Sequence, residues 1–188
     1  MESTYYIIIV GVLLFEYALS TISSTLNMNS ITEDIPDGFQ DYYDKDKYAK
    51  SQSYLKDKTR FGLFTGTFSL CITLVIIHAG LFGLLDDFVR AHSSHYITSG
   101  LLFFGTLFIL NDIINLPFSI YGTFVIEEKY GFNKTTWRTF VSDKLKGYGL
   151  TIVLGSVVMV PLLYFFEAYG SNGWWIAWAL ITGFMIAI

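Results

Sequence analysis

The histidine side chains are the first candidates for chemistry in this sequence, because imidazole binds metals and transfers protons near neutral pH. His92 and His95 stand three residues apart in RAHSSHY, a spacing that places both on one face of a helix. Asp86 and Asp87 precede them, but a zinc site needs three or four ligands, and this spacing fits no motif. His78 has no second ligand three or four positions later. We therefore predict no metal ligand and no catalytic residue among these side chains.

Two carboxyl groups stand inside long apolar segments. Glu16 lies in VLLFEYALS, and Asp112 lies in FILNDIINLPF between Asn111 and Asn115. A charge inside a membrane costs about 2.5–3.5 kcal/mol on insertion scales, so such a group faces protein or trapped water. Asn111, Asp112 and Asn115 could form a polar wall of an internal cavity. Alternatively, they could form hydrogen bonds between helices, where one such bond contributes about 0.6 kcal/mol. For Glu16 the simpler hydrogen-bonding interpretation is favoured.

The distribution of charge predicts a membrane protein. Of the 188 residues, 53% are hydrophobic and 15% are charged, and most charges fall in residues 33–60 and 127–146. We predict an all-α, polytopic transmembrane helical bundle of about five spans with short amphipathic cytosolic helices. The last span stops short of the about 20 residues that a crossing needs, so we expect the chain to be the front part of a longer protein. The predicted spans are 5–26, 61–85, 96–120, 148–166 and 174–188.

The basic residues predict the orientation of the spans. Residues 27–60 contain six Lys or Arg and residues 121–147 contain five, whereas Arg90 alone lies between the second and third spans. By the positive-inside rule, loops 27–60 and 121–147 face the cytosol. No basic cluster in the sequence suggests a nucleic-acid partner, so none is expected.

Aromatic and aliphatic residues recur at helical spacing in the third loop. This pattern predicts a short amphipathic helix on the membrane surface that leads into the fourth span, with Asn133 or Thr135 as its N-cap. The apolar positions are Trp137, Phe140, Val141, Leu145 and Tyr148.

Two segments resemble the N-terminal membrane region of the type 1 CAAX prenyl protease family, which are integral-membrane zinc metalloendopeptidases. They are LPFSIYGTFVIEEKYGFNKTTWRTFVSDKLKG, residues 116–147, and YAKSQSYLKDKTRFGL, residues 48–63. The family's chemistry uses an HExxH helix and a downstream glutamate, and this sequence contains no HExxH. The resemblance therefore implies that residues 1–188 are inactive alone and that zinc belongs to a missing catalytic part.

The resemblance also implies roles for the polar residues. Asn111, Asp112 and Asn115 are expected to line an intramembrane chamber, and Glu127 and Glu128 are expected to dock the catalytic part. The implied partners are the lipid bilayer, that catalytic part, and prenylated or other peptide substrates. The implied location is the endoplasmic reticulum membrane in a eukaryote or the inner membrane in a bacterium. A non-catalytic membrane scaffold and a small transporter remain the alternatives.

Overall fold

The protein is described by a computed structural model that covers residues 2–170 and 173–187. Within these ranges the chain is helical and has no strand, which confirms the predicted all-α class. The described residues form six α-helices and one π-helical segment, in chain order: α1 Glu2–Asn29, α2 Lys45–His78, α3 Leu81–His92, α4 Tyr96–Tyr121, the π-helical segment Gly122–Glu127, α5 Trp137–Tyr169 and α6 Gly173–Ala187.

Four helical segments in the described part of the chain are long and apolar enough to cross a membrane. They are Thr4–Asn29, Lys45–His78, Tyr96–Glu127 and Trp137–Tyr169, so this is a multi-pass membrane protein. The fifth predicted span, 174–188, corresponds to α6, whose described part of 15 residues is shorter than the about 20 that a crossing needs.

The second helix begins before the membrane and ends before the predicted limit of its span. The Asp44 side chain caps it by accepting hydrogen bonds from the backbone N–H groups of Asp46 and Lys47. It ends at His78, whereas the predicted second span reached residue 85. Gly80 adopts a positive φ of 65° that disfavours side chains, and it separates α2 from the short α3.

The predicted surface helix of the third loop is the first part of α5. Thr136, not Asn133 or Thr135, is the N-cap, and its side chain accepts from the backbone N–H of Thr139 at 3.2 Å. The helix then continues without interruption to Tyr169. Its 33 residues extend about 50 Å, against a hydrocarbon thickness of about 30 Å, so several turns project beyond the hydrocarbon.

The chain divides into two compact units, Met1–Leu81 with Asn115–Lys134 and Phe82–Ile114 with Thr135–Ile188. In the first unit α1 packs along α2, where the Tyr17 hydroxyl lies 2.7 Å from the Thr67 hydroxyl. In the second unit α4 approaches α5 closely at Gly100, where an added Cβ would lie 2.8 Å from the side chain of Leu163. A small residue at such a contact lets two helices pack tightly in a membrane.

Candidate functional site

A compact polar turn follows the π-helical segment. The backbone N–H of Gly131 donates to the carbonyl oxygen of Glu128, and that of Phe132 donates to Glu127, both at 2.9 Å. Gly131 has a φ of 65°, so these bonds form a Schellman ending with glycine in the left-handed position. Residues 127–134, called the polar turn below, therefore have a defined shape.

A carboxylate on α2 binds the polar turn through two side chains. Oδ2 of Asp57 accepts from Nζ of Lys129 at 2.6 Å and from the hydroxyl of Tyr130 at 2.7 Å. Tyr130 is one of the buried residues, with 8% of its surface exposed. We call these three residues the Asp57 clamp. Because the clamp lies outside the apolar stretch of α2, it attaches the turn to the projecting part of that helix.

Aromatic contacts extend this attachment along α2. The ring of Tyr54 packs edge-on against Tyr130 and Phe132, with centroids 5.6 and 4.9 Å apart. The ammonium of Lys50 lies 5.8 Å from the centroid of Phe132. Edge-on aromatic pairs contribute about 0.5–1.5 kcal/mol beyond the area that they bury. The turn is thus fixed by apolar contacts as well as by charge.

The charges of the Asp57 clamp stabilise its protonated donors. The hydrogen bond to Asp57 raises the pKa of Tyr130 above its usual value, and burial raises that pKa further. The hydrogen bond to Asp57 also raises the pKa of Lys129. Both side chains therefore remain hydrogen-bond donors throughout the physiological pH range.

A second aspartate, within the helices, is bound by the same two residue types. The carboxylate of Asp112 on α4 accepts hydrogen bonds from Lys144 and Tyr148, both on α5. The side chains of Lys144 and Asp112 are 26% and 20% exposed. We call these residues the Asp112 clamp. The structure thus provides hydrogen bonds between helices, one of the two interpretations that the sequence left open, while the chamber-lining role remains a prediction.

The other predicted site residues lie on two elements. Glu127 is half-buried and Glu128 is exposed in the polar turn, where Oε2 of Glu128 accepts from the side-chain amide of Asn133 at 2.9 Å. On α4, Asn111 is exposed and Asn115 is half-buried, and each has a partner. The docking role of the two glutamates remains a prediction.

Two histidines form hydrogen bonds through Nδ1. The Tyr6 hydroxyl lies 3.3 Å from Nδ1 of His78, and Nδ1 of His92 donates to the carbonyl oxygen of Phe88 at 2.8 Å. Glu16 is exposed on α1. Among residues 2–170 and 173–187, no three His, Cys, Asp or Glu side chains form a group that could bind a metal.

Asp112 was recognisable in the sequence as a candidate site residue, but the partners of both aspartates were not. Asp57 lies in a charged stretch where nothing distinguishes it from its neighbours, and its partners come about seventy residues later. Lys144 and Tyr148 are four residues apart, so they share one helical face. That spacing was a usable signal for a shared partner on a neighbouring helix.

Comparison with known proteins identifies the family. Residues 24–188 match the family model described as CAAX prenyl protease N-terminal, five membrane helices. The chain is 38% identical over 151 residues to the probable CAAX prenyl protease 1 of Schizosaccharomyces pombe, covering 73% of this chain and 32% of that protein. It is 30% identical over 154 residues to the CAAX prenyl protease 1 homolog of Homo sapiens, covering 78% and 32%.

The fold also matches a solved structure. The crystal structure of S. mikatae Ste24p aligns with a TM-score of 0.84 at 23% identity, covering 97% of this chain and 44% of that chain. The chain spans about a third of the length of the curated relatives that it matches, as the covered shares of 32% show. With its helical fold and its match from residue 24 to residue 188, the chain belongs to the CAAX prenyl protease N-terminal family, the region of five membrane helices.

Proposed function

We propose that this chain is the N-terminal membrane region of a zinc metalloendopeptidase that processes C-terminal CAAX or related membrane substrates. Its five predicted spans, within residues 1–188, form part of an intramembrane chamber and support a catalytic part outside this sequence. The observation that carries the proposal is the polar turn, which lies in one of the two segments that resemble the family and is bound to α2 by the Asp57 clamp.

A turn fixed in this way is suited to positioning another folded part. Catalysis is sensitive to displacements of about 1 Å, so a support for catalytic groups must be rigid. Glu128 is exposed in the turn, and Glu127 is beside it. We propose that these carboxylates dock the catalytic part, while the Asp57 clamp prevents the turn from shifting.

Zinc is assigned to the catalytic part and not to this chain. The sequence contains no HExxH, and the described residues contain no group of three metal-binding side chains. The residues present therefore do not fit a zinc site, and the proposed role of this chain is support and substrate enclosure.

The proposed location is the endoplasmic reticulum membrane, with loops 27–60 and 121–147 in the cytosol. The lysine and arginine distribution supports this orientation. It would place the polar turn and the projecting part of α2 on the cytosolic side.

Asn111, Asp112 and Asn115 would line the chamber wall on α4. The proposed substrates are prenylated or other CAAX peptides.

Co-purification tests the docking role. The tagged chain is expressed with the remaining part of the Schizosaccharomyces pombe relative as a separate polypeptide, and bound partner and zinc are quantified. We expect the partner and its zinc to co-purify with the chain and with Glu167→Gln, a control at the other end of α5. The double variant Glu127→Gln, Glu128→Gln should retain severalfold less partner. Failure of the unaltered chain to retain any partner would favour a stand-alone scaffold or transporter.

A further inference from the structure

Helix α3, Leu81–His92, has two unlike sides, which distinguishes it from the spans. With 100° between successive residues, Leu84, Phe88 and Ala91 share one side. Asp86 and Arg90 lie on the opposite side, where Nε of Arg90 donates to Oδ2 of Asp86 at 2.7 Å. A helix with one apolar and one charged side is suited to the boundary between an apolar phase and water.

Part of the apolar surface of α3 is covered by the rest of the protein. Val89 is 4% exposed, and the carbonyl oxygen of Ser93 accepts from the hydroxyl of Ser99, on α4, at 2.8 Å. Leu84 and Phe88 are nevertheless each 62% exposed. The apolar side of α3 is therefore only partly covered, and large side chains remain open along one line.

The position of α3 in the chain identifies what covers that line. It connects α2, which ends at His78, with the candidate span that begins at Tyr96, so both ends of the connection emerge on the same side of the membrane. Its 12 residues extend about 18 Å, too short to cross about 30 Å of hydrocarbon. A short amphipathic helix between two spans is suited to a position on the membrane surface.

We propose that α3 lies in the membrane interface and inserts Leu84 and Phe88 among the lipid acyl chains. Interfacial helices bury their apolar side about 5–10 Å into the boundary between headgroups and acyl chains. The polar side of α3 carries Asp86, Asp87 and Arg90, and so has no excess of positive charge. Insertion is therefore driven by apolar contact and does not require anionic headgroups.

Site-directed spin labelling tests this proposal. Cys71, the only cysteine, is replaced by serine, and single cysteines are introduced as Leu84→Cys, Phe88→Cys or Gly83→Cys. Gly83 is the matched control, because it lies towards the charged side and an added Cβ there meets no atom within 4 Å. The labelled protein is reconstituted in phosphatidylcholine vesicles, and collisions with oxygen and with a water-soluble nickel complex are measured.

Labels at positions 84 and 88 should collide severalfold more with oxygen than with nickel, and the label at position 83 should show the reverse. Replacing part of the phosphatidylcholine with phosphatidylserine should leave these ratios unchanged. Adding Phe88→Asp to the position 84 label should shift that label towards nickel accessibility. Similar nickel accessibility at all three positions would overturn the proposal. Dipolar broadening of the spin-label spectra, together with low collision rates with both oxygen and nickel at positions 84 and 88, would also overturn it. A second copy of the chain would then cover this surface.

Discussion

The Asp57 and Asp112 clamps use the same three residue types in different surroundings. Each aspartate accepts one hydrogen bond from a lysine and one from a tyrosine. The side chains of Lys129 and Asp57 are 62% and 30% exposed, whereas those of Lys144 and Asp112 are 26% and 20% exposed. Removing one partner should therefore cost more stability in the Asp112 clamp than in the Asp57 clamp, because an unpaired charge costs more where water reaches it less.

The two clamps also attach different kinds of structure. The Asp112 clamp joins two membrane helices within one unit, so its loss should affect stability most. The Asp57 clamp joins the projecting part of α2 to the polar turn within the other unit, so its loss should affect local order most.

Asp112→Leu should have the largest effect on stability. It leaves the half-buried Lys144 and Tyr148 without their shared acceptor, and the cost should approach the about 1–3 kcal/mol of a group shielded from water without a partner. The free energy of unfolding in detergent measures this loss. Asp143→Asn is the control, because Asp143 is 64% exposed and lies 3.7 Å from Lys146.

Asp112→Asn removes the charge and keeps the shape, so it separates the two interpretations of Asp112. We expect it to destabilise less than Asp112→Leu, and we expect Lys144→Met to recover part of the loss by removing the unpaired ammonium. If Asp112→Asn in an active full-length protein instead leaves stability intact and changes peptide cleavage, the chamber-lining role would outweigh the bond between helices.

Asp57→Asn should have a smaller effect on global stability, about 0.5–1.5 kcal/mol for the weakened hydrogen bonds. Its clearer effect should be on the polar turn, which the aromatic contacts alone would then attach. Limited trypsin digestion at Lys134 measures this, with faster cleavage expected in the variant. Equal cleavage rates would show that Tyr54 and Phe132 are sufficient to fix the turn.

The pH dependence of the Asp57 clamp should follow Tyr130. Folding raises the pKa of this phenol. The clamp's contribution to the free energy of unfolding is therefore fully present below the pKa of Tyr130 in the unfolded chain and is lost as pH rises through its pKa in the folded protein. The ultraviolet absorbance of the phenolate, taken as the difference between the protein and Tyr130→Phe, should therefore titrate above the ordinary tyrosine range. Asp57→Asn should return that titration towards the ordinary range.

The exposed ion pair of α3 should give the smallest effect. Arg90 and Asp86 are 60% and 43% exposed and stand four residues apart on one helix. Exposed pairs of this kind have little net effect, so Asp86→Asn should leave the thermal midpoint unchanged. A midpoint shift as large as that of Asp57→Asn would contradict the ranking by exposure.

Local patterns in the sequence were sufficient to predict the helical class and the approximate spans, because membrane helices are dictated by runs of apolar residues. The break at Gly80 was missed because Leu81, Phe82, Leu84 and Leu85 continue the apolar run of the second span. The continuity of α5 was missed because its amphipathic start resembles a separate surface helix.

The clamps required the structure, because their partners are distant in the sequence. Asp57 meets residues 129 and 130, and Asp112 meets residues 144 and 148. A single sequence shows which charges are present but not which of them meet across helices. For the same reason, the resemblance of residues 116–147 to the family drew attention to the segment that contains the polar turn but did not show which contacts fix it.

The most direct test of the proposed function is the peptidase activity of a chimera. In the Schizosaccharomyces pombe relative, the matched N-terminal region is replaced by the corresponding residues of this chain, and cleavage of a prenylated CAAX peptide is measured beside this chain alone. We predict that the chimera cleaves the peptide with zinc bound and that this chain alone does not cleave it. A folded, zinc-loaded chimera without activity, or cleavage by this chain alone, would contradict the account.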